Sequence, residues 1–340
     1  MRGAVMYSPG DVRVEERDKP QIVDPTDAII RVSASCVCGS DLWFYRGVEE
    51  LDWPAPMGHE YVGVVEEVGD EVTSIKPGQF VIGSFWASDN SCEICRSGYQ
   101  SACVNRVPMG AMGAQAEWLR VPLADGTLVA TPGMPEDDLI PSLVAASDVL
   151  GTGWFAAVAA EAGPGRTVAV VGDGAVGLLG VLAPKQLGAE RIIAMSRHES
   201  RQRLAREFGA TDIVEARGED GVAAIRELTN GLGAHSVIEA VGTQESMMQA
   251  IRSTRPGGSV GFVGVGHGVE LSGADLFWSL VHLHGGPAPV RRFLPELIDL
   301  IWRREIDPGK VFDLKLPLDE AAAGYRAMDQ RESIKALLIP

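Results

Sequence analysis

The sequence predicts an α/β chain of two domains, a mainly β domain followed by a doubly wound parallel sheet. Three observations carry this reading. At 340 residues the chain is too long for one ordinary hydrophobic core and suits two domains. Its first 150 residues read as short strands separated by Gly and Pro turns. From about residue 152 to 286, apolar strand-like runs alternate with helical stretches, as parallel strands with crossover helices require.

Composition narrows the function classes. Apolar residues make up 46% and charged residues 22%, the balance of a soluble globular protein rather than a disordered or fibrous one. Acidic residues outnumber basic ones 46 to 30, a net charge of −16. That field repels a phosphate backbone, so broad nucleic-acid binding is excluded, although local basic clusters can still grip a small phosphorylated ligand. Residues 1–20 mix both charges and lack the apolar core of a secretory signal. The longest nearly apolar run, 149–160, falls short of the about twenty residues a bilayer needs. The expectation is a cytoplasmic protein without membrane contact.

The first domain carries all five cysteines, Cys36, Cys38, Cys92, Cys95 and Cys103. An odd number argues against a disulfide framework. Cys92-x2-Cys95 followed by Cys103 can converge on one tetrahedral Zn²⁺, and Asp89, three residues before Cys92, can fill the fourth place. Three ordinary cysteines, or a redox pair at Cys92 and Cys95, would share this spacing. Cys38 differs. It follows a strand-like run, 28–32, while His59 in Gly58-His59-Glu60 precedes an alternating run, Tyr61–Val68. A thiolate and an imidazole on neighbouring loops suit a catalytic zinc, which keeps one position open, but two lone residues do not establish one.

The second domain opens on a fingerprint. Thr167–Val171 reads as a buried strand, and Gly172-Asp173-Gly174-Ala175-Val176-Gly177 follows at once, ahead of a helix over 178–187. This is G-x-G-x-x-G in its strand–turn–helix context, where backbone N–H groups at a helix N-terminus meet a pyrophosphate. Gly172, Gly174, Val176 and Gly177 are its expected cofactor contacts. Pro184 is expected to kink the helix. After the next strand, Arg191–Met195, a fold specific for NAD(H) places an acid on the ribose. Here Ser196-Arg197-His198 stands, with Arg201 close behind, which favours the 2′-phosphate of NADP(H) over NAD(H). Glu199 speaks against that preference, and Arg197 and Arg201 also read as solvated helix-start charges. Further strands are expected over 209–214, 236–241 and 258–265, with helices over 222–228 and 244–252. His282 and His284, alternating around Leu283, read as one polar face of a strand.

Together these residues resemble the zinc-dependent medium-chain dehydrogenase/reductase family, alcohol dehydrogenase type. The motifs occur in order along essentially the whole chain: Cys38-Gly39-Ser40-Asp41, Gly58-His59-Glu60, the lobe at 89–103, Ser147-Asp148 before Thr152-Gly153, and the fingerprint at 172–177. The resemblance implies a GroES-like catalytic domain over 1–151, a Rossmann domain over 152–286, and a segment over 287–340 returning to the first. It implies Cys38, His59 and Asp148 as catalytic-zinc ligands, with Glu60 a nearby acid able to swing onto the metal. Asp41 would orient His59, and Ser40 would accept the substrate proton. Thr152 would lie near the nicotinamide, and one of Arg291 and Arg292, with Arg292 favoured, would touch the cofactor. Asp89, Cys92, Cys95 and Cys103 would form a structural zinc site.

Two departures stand out. Asp89 replaces the first lobe cysteine, which weakens that site. Trp43 stands where many members place a relay histidine, so proton release runs through Ser40 and a ribose hydroxyl or water. Trp43, Phe85 and Trp86 are candidates for the substrate pocket, or for plain core packing. The expected activity is zinc-dependent interconversion of an alcohol and an aldehyde or ketone, in a homodimer or homotetramer joined through Rossmann sheets, with 258–265 a candidate edge. A zinc-free enone or quinone reductase and a non-catalytic nucleotide-binding redox sensor are the alternatives.

Overall fold

The computed structural model describes all 340 residues. Contacts divide the chain into two units, Met1–Gly151 with Pro289–Pro340, and Thr152–Ala288.

The first unit is built on antiparallel strands. Ala28–Cys36, in an alternating and β-branched run, pairs with Tyr61–Val68, which pairs with Phe80–Gly83 and so to Leu128–Ala130. The C-terminal strand Ala336–Ile339 lies antiparallel to Ala28–Cys36 and carries Leu314–Pro317 as its parallel neighbour. The last strand of the chain thereby joins the sheet built on Ala28–Cys36. A smaller sheet joins Arg2–Ser8 to Asp11–Glu16 and Ala55–Pro56. Two apolar clusters hold this unit. One is centred on Ile30, Tyr61, Val81 and Leu119, the other on Met6, Leu42, Tyr325 and Leu338.

The second unit is one parallel six-stranded sheet. Its order is Asp212–Val214, Arg191–Met195, Thr167–Val171, Ala234–Glu239, Thr254–Phe262 and His282–Gly285. That order places the switch point at Thr167–Val171, where a doubly wound sheet holds its ligand. Val171, Ile193, Val237 and Val260 form the core between sheet and helices.

Several boundaries differ from the sequence reading. The strand expected over 258–265 runs from Thr254 to Phe262 and is not an edge, because His282–Gly285 pairs along its outer side. The strand expected to reach Val241 stops at Glu239, whose side chain accepts the N–H groups of Val241 and Gly242 and takes them out of the ladder. The helix Ala175–Gln186 begins three residues early, and Pro184 lies in its last turn, where its missing N–H leaves one carbonyl of the preceding turn without its intrahelical bond. The apolar stretch near 150 is the helix Val149–Ala159, and its residues are mostly buried. No single helix is long and apolar enough to cross a membrane.

Candidate active site and metal centres

Strand register explains how distant residues meet. Ser35 at the end of Ala28–Cys36 pairs with Tyr61 at the start of Tyr61–Val68. Continuing both strands past that pair brings Cys38 and His59 out at the same end of the sheet. Gly58 makes the turn into this site with φ +96°, and a Cβ there would lie 2.5 Å from the Gln115 side chain. Asp148 arrives from the two-residue break between the helices Ile140–Ala146 and Val149–Ala159.

The four side chains Cys38, His59, Glu60 and Asp148 each offer a ligand atom, and these atoms lie within 4.8 Å of one another. Cys38 Sγ is 3.7 Å from Asp148 Oδ2, and His59 Nε2 is 3.4 Å from the same oxygen. The other ring nitrogen, Nδ1, faces Asp41 Oδ1 at 3.3 Å. Asp41 is itself fixed: its Oδ2 accepts the N–H of Cys38 at 3.0 Å and the Gln115 amide at 3.4 Å. Gln115 in turn donates to the Cys36 carbonyl and accepts from the Tyr325 hydroxyl. This chain of buried bonds sets the His59 ring so that Nε2 points into the cluster, the usual arrangement behind a metal-binding histidine.

The electrostatics call for a cation. Asp41, Glu60 and Asp148 are buried, and the one buried ammonium beside them is Lys335, whose Nζ lies 2.7 Å from Glu60 Oε1. With His59 neutral, as a metal ligand must be, two negative charges are left over, and Glu60 Oε2 is buried with no hydrogen-bond partner. Burial opposes a charged His59, yet Asp41, Cys38 and Asp148 outweigh it and hold the imidazole pKa well above its ordinary value. Burial pushes the Cys38 thiol up, and the neighbouring Glu60 adds to this. A divalent ion answers both effects, since it neutralises the excess and favours the thiolate. Sulfur, nitrogen and carboxylate oxygen together suit zinc.

The second cluster sits in the lobe. Cys92 caps the short helix Glu93–Arg96, with its Sγ accepting the Cys95 N–H. Asp89, Cys92, Cys95 and Cys103 again bring four ligand atoms within 4.8 Å. All five cysteines are free, and Cys92 Sγ and Cys103 Sγ stand 3.9 Å apart. Burial opposes ionisation of Asp89, but the N–H groups of Ser91 and Cys92 outweigh it and hold the carboxyl well below the usual range. The Asp89 side chain is therefore an anion at neutral pH, as a zinc ligand must be.

The aromatic candidates divide. Phe85 packs edge-on to His59 with ring centroids 6.2 Å apart. Trp86 lies in a two-residue strand under the Arg106 guanidinium, and Trp43, in the helix Asp41–Tyr45, lies beside Arg46. Ser40, half-buried, precedes that helix and leaves its hydroxyl uncommitted as a cap.

In the second unit, Gly174 caps the helix Ala175–Gln186 without a side chain, and no acid sits in the first turn. The free N–H groups there form an anion seat. Gly177 packs so closely that a Cβ would lie 2.1 Å from the Gly172 carbonyl. Val176 is half-buried in the first helical turn, and Thr152 is buried in Val149–Ala159. The basic cluster holds a surprise. Ser196 Oγ donates to Asp173 Oδ2 at 2.8 Å, and Arg201 Nη1 donates to the Asp173 carbonyl at 3.1 Å and lies 3.4 Å from its Oδ1. Arg197 is exposed. Arg291 and Arg292 begin the helix Val290–Trp302 in the first unit, with Arg292 beside Gly98 of the lobe.

Three residues escaped the sequence reading: Lys335, Gln115 and Asp173. Lys335 had a signal, as the one cation in the apolar run that ends the chain. Gln115 and Asp173 had none, because their roles depend on partners far away in sequence.

A family model for the alcohol dehydrogenase GroES-like domain matches residues 24–133, and one for zinc-binding dehydrogenases matches residues 175–302. The chain is 37% identical over 350 residues to the probable zinc-binding alcohol dehydrogenase of Mycobacterium tuberculosis, covering 100% of this chain and 89% of that relative. It is 34% identical over 326 residues to the NADP-dependent isopropanol dehydrogenase of Thermoanaerobacter brockii, covering 92% and 91%. The solved alcohol dehydrogenase of Thermus sp. ATN1 is similar at a TM-score of 0.92 and 32% identity, covering 100% of this chain and 99% of that one.

Proposed function

The chain belongs to the zinc-type alcohol dehydrogenase family and is an oxidoreductase, and from that premise we propose that it interconverts an alcohol and an aldehyde or ketone with NADP(H) at the Cys38–His59–Asp148 cluster. The observation that carries this reading is the convergence of four donor side chains on one buried, net-negative point. Cys38, His59 and Asp148 hold the zinc, and Glu60 is the reserve ligand. Zinc bound there supplies Lewis acidity, which lowers the pKa of an alcohol hydroxyl and polarises a carbonyl. Asp41 fixes the tautomer and angle of His59. Ser40 Oγ takes the substrate proton and passes it outward. Phe85 lines the substrate side of His59 and favours an apolar substituent there.

The first unit with its C-terminal return is the catalytic half, and Thr152–Ala288 is the cofactor-binding half. Gly172, Gly174, Val176 and Gly177 seat the pyrophosphate, Thr152 adjoins the nicotinamide, and Arg292 is a further cofactor contact. Ser196, Arg197 and Arg201 take the 2′-phosphate. Because Asp173 already holds Ser196 and Arg201, the phosphate must replace the Asp173 carboxylate on both donors. The name of the Thermoanaerobacter relative, NADP-dependent, supports this choice. Asp89, Cys92, Cys95 and Cys103 hold a second, structural zinc. Five free thiols suit a reducing compartment, the cytoplasm. A homodimer forms through the exposed edge strand His282–Gly285, beside which Phe277, Trp278 and Leu280 stand out of the surface.

The deciding experiment replaces Cys38 with serine. Turnover of alcohols is expected to vanish and zinc content to fall by one per chain, while NADPH binding stays near normal. A variant that keeps more than about a tenth of the activity sinks the mechanism.

A further inference from the structure

No acid stands directly after the strand Arg191–Met195, where a fold specific for NAD(H) holds the adenosine ribose. The fold supplies one from the glycine turn. Thr167–Val171 and Arg191–Met195 run parallel with Val171 opposite Met195, so both strands release the chain at the same edge of the sheet. Asp173, two residues past the first strand, thereby meets Ser196, one residue past the second, and its Oδ2 accepts the Ser196 hydroxyl at 2.8 Å. Arg201, on the helix Glu199–Phe208, closes the group. Its Nη1 donates to the Asp173 carbonyl at 3.1 Å and lies 3.4 Å from Oδ1. The Asp173 and Arg201 side chains are only 12% and 11% exposed, so solvent screens this pair little.

The other acids nearby are engaged elsewhere. Glu199 pairs with Arg203 on the outer face of its helix at 2.6 Å and is 85% exposed. Glu215, at the surface, accepts the Gln202 amide. Asp173 is therefore the acid that faces Ser196 and Arg201.

The two forms of the cofactor make opposite demands on such a group. A ribose 2′-hydroxyl is a donor, and the Asp173 carboxylate can accept it while it stays paired with Arg201. A 2′-phosphate brings only negative charge. It must take Ser196 and Arg201 for itself, which strips the carboxylate of its partners and leaves two anions side by side in a poorly screened place.

We propose that Asp173 is a specificity-determining residue that opposes NADP(H) and keeps NAD(H) usable at the same site. Paired with Arg201, it accepts the ribose 2′-hydroxyl of NAD(H). Turned away, it yields Ser196 and Arg201 to the 2′-phosphate of NADP(H). This inference rests on the reading of Ser196, Arg197 and Arg201 as the seat of that phosphate.

The test is calorimetric titration of the zinc-loaded protein with 5′-AMP and with adenosine 2′,5′-bisphosphate, which carry the two riboses without the nicotinamide. Asp173→Asn keeps the side-chain shape and an acceptor for Ser196 but removes the charge. It is expected to bind the bisphosphate about tenfold tighter and 5′-AMP about fivefold weaker than the parent. Asp173→Ser, small and uncharged, is expected to move both ligands in the same directions. A loosened glycine turn would weaken both ligands together, so the opposite signs separate specificity from structure. Joint weakening of both ligands, or an unchanged ratio in the two variants, overturns the proposal. A parent that binds 5′-AMP more tightly than the bisphosphate sinks the NADP(H) preference alone, because the change of ratio in the variants still decides the role of Asp173. None of these readouts uses turnover.

Discussion

Lys335 Nζ lies 2.7 Å from Glu60 Oε1, and the two side chains are 1% and 0% exposed. The ammonium also donates to the Val37 carbonyl at 3.1 Å. Burial works against its charge, but the neighbouring Cys36 and Glu60 outweigh that and keep its pKa well above the ordinary lysine value. Lys335 therefore keeps its proton and holds Glu60 by one oxygen, next to the proposed metal ligands Cys38, His59 and Asp148. Removing one partner strands a buried charge, a loss of about 3–5 kcal/mol. Lys335→Met should lower unfolding free energy by that amount in urea titration. Adding Glu60→Gln should restore part of it. A Lys335→Met protein as stable as the parent would show that the pair carries no charge.

The lobe makes a second prediction. Elemental analysis should find two zincs per chain, and Asp89→Ala should reduce that to one while leaving the Cys38 site loaded. The variant should also melt at a lower temperature, because metal binding in such a loop contributes folding free energy. Two zincs in Asp89→Ala would remove Asp89 from the ligand set.

The proposed NADP(H) preference rests on Ser196. An aspartate there sets a carboxylate against the 2′-phosphate and in place of a hydrogen-bond donor. Ser196→Asp should raise the KM for NADPH about tenfold or more and change that for NADH much less, read from initial rates with both cofactors. Equal effects on both would contradict an NADP(H) preference.

The exposed apolar cluster makes the last prediction. Phe277 is 69% exposed and Trp278 is 79% exposed, with their rings stacked edge-on 4.9 Å apart. Replacing both with aspartate should shift the protein from dimer to monomer in light scattering after size-exclusion chromatography. A dimer that persists would place the interface elsewhere.

The Rossmann half was largely legible in the sequence. Thr167–Val171 and Arg191–Met195 match their expected ranges because a β-branched run bounded by glycine or charge has few other local conformations. The edge strand was not legible. 258–265 and 282–285 are both short and strand-like, and only pairing decides which one lies outside. In the first half, the cysteine spacing marked the lobe, since its four candidate ligands lie within fifteen residues.

Local pattern by itself determined the two-domain plan, the glycine turn and the choice of chemistry, because strand period, turn residues and thiol spacing act over a few residues. The assembled site was decided by tertiary structure alone. Cys38 meets Asp148 across 110 residues, and Glu60 meets Lys335 across 275. No local propensity records such distances. The strand register that brings Cys38 beside His59, and the return of the C-terminal strand, turn scattered acids into one buried negative centre.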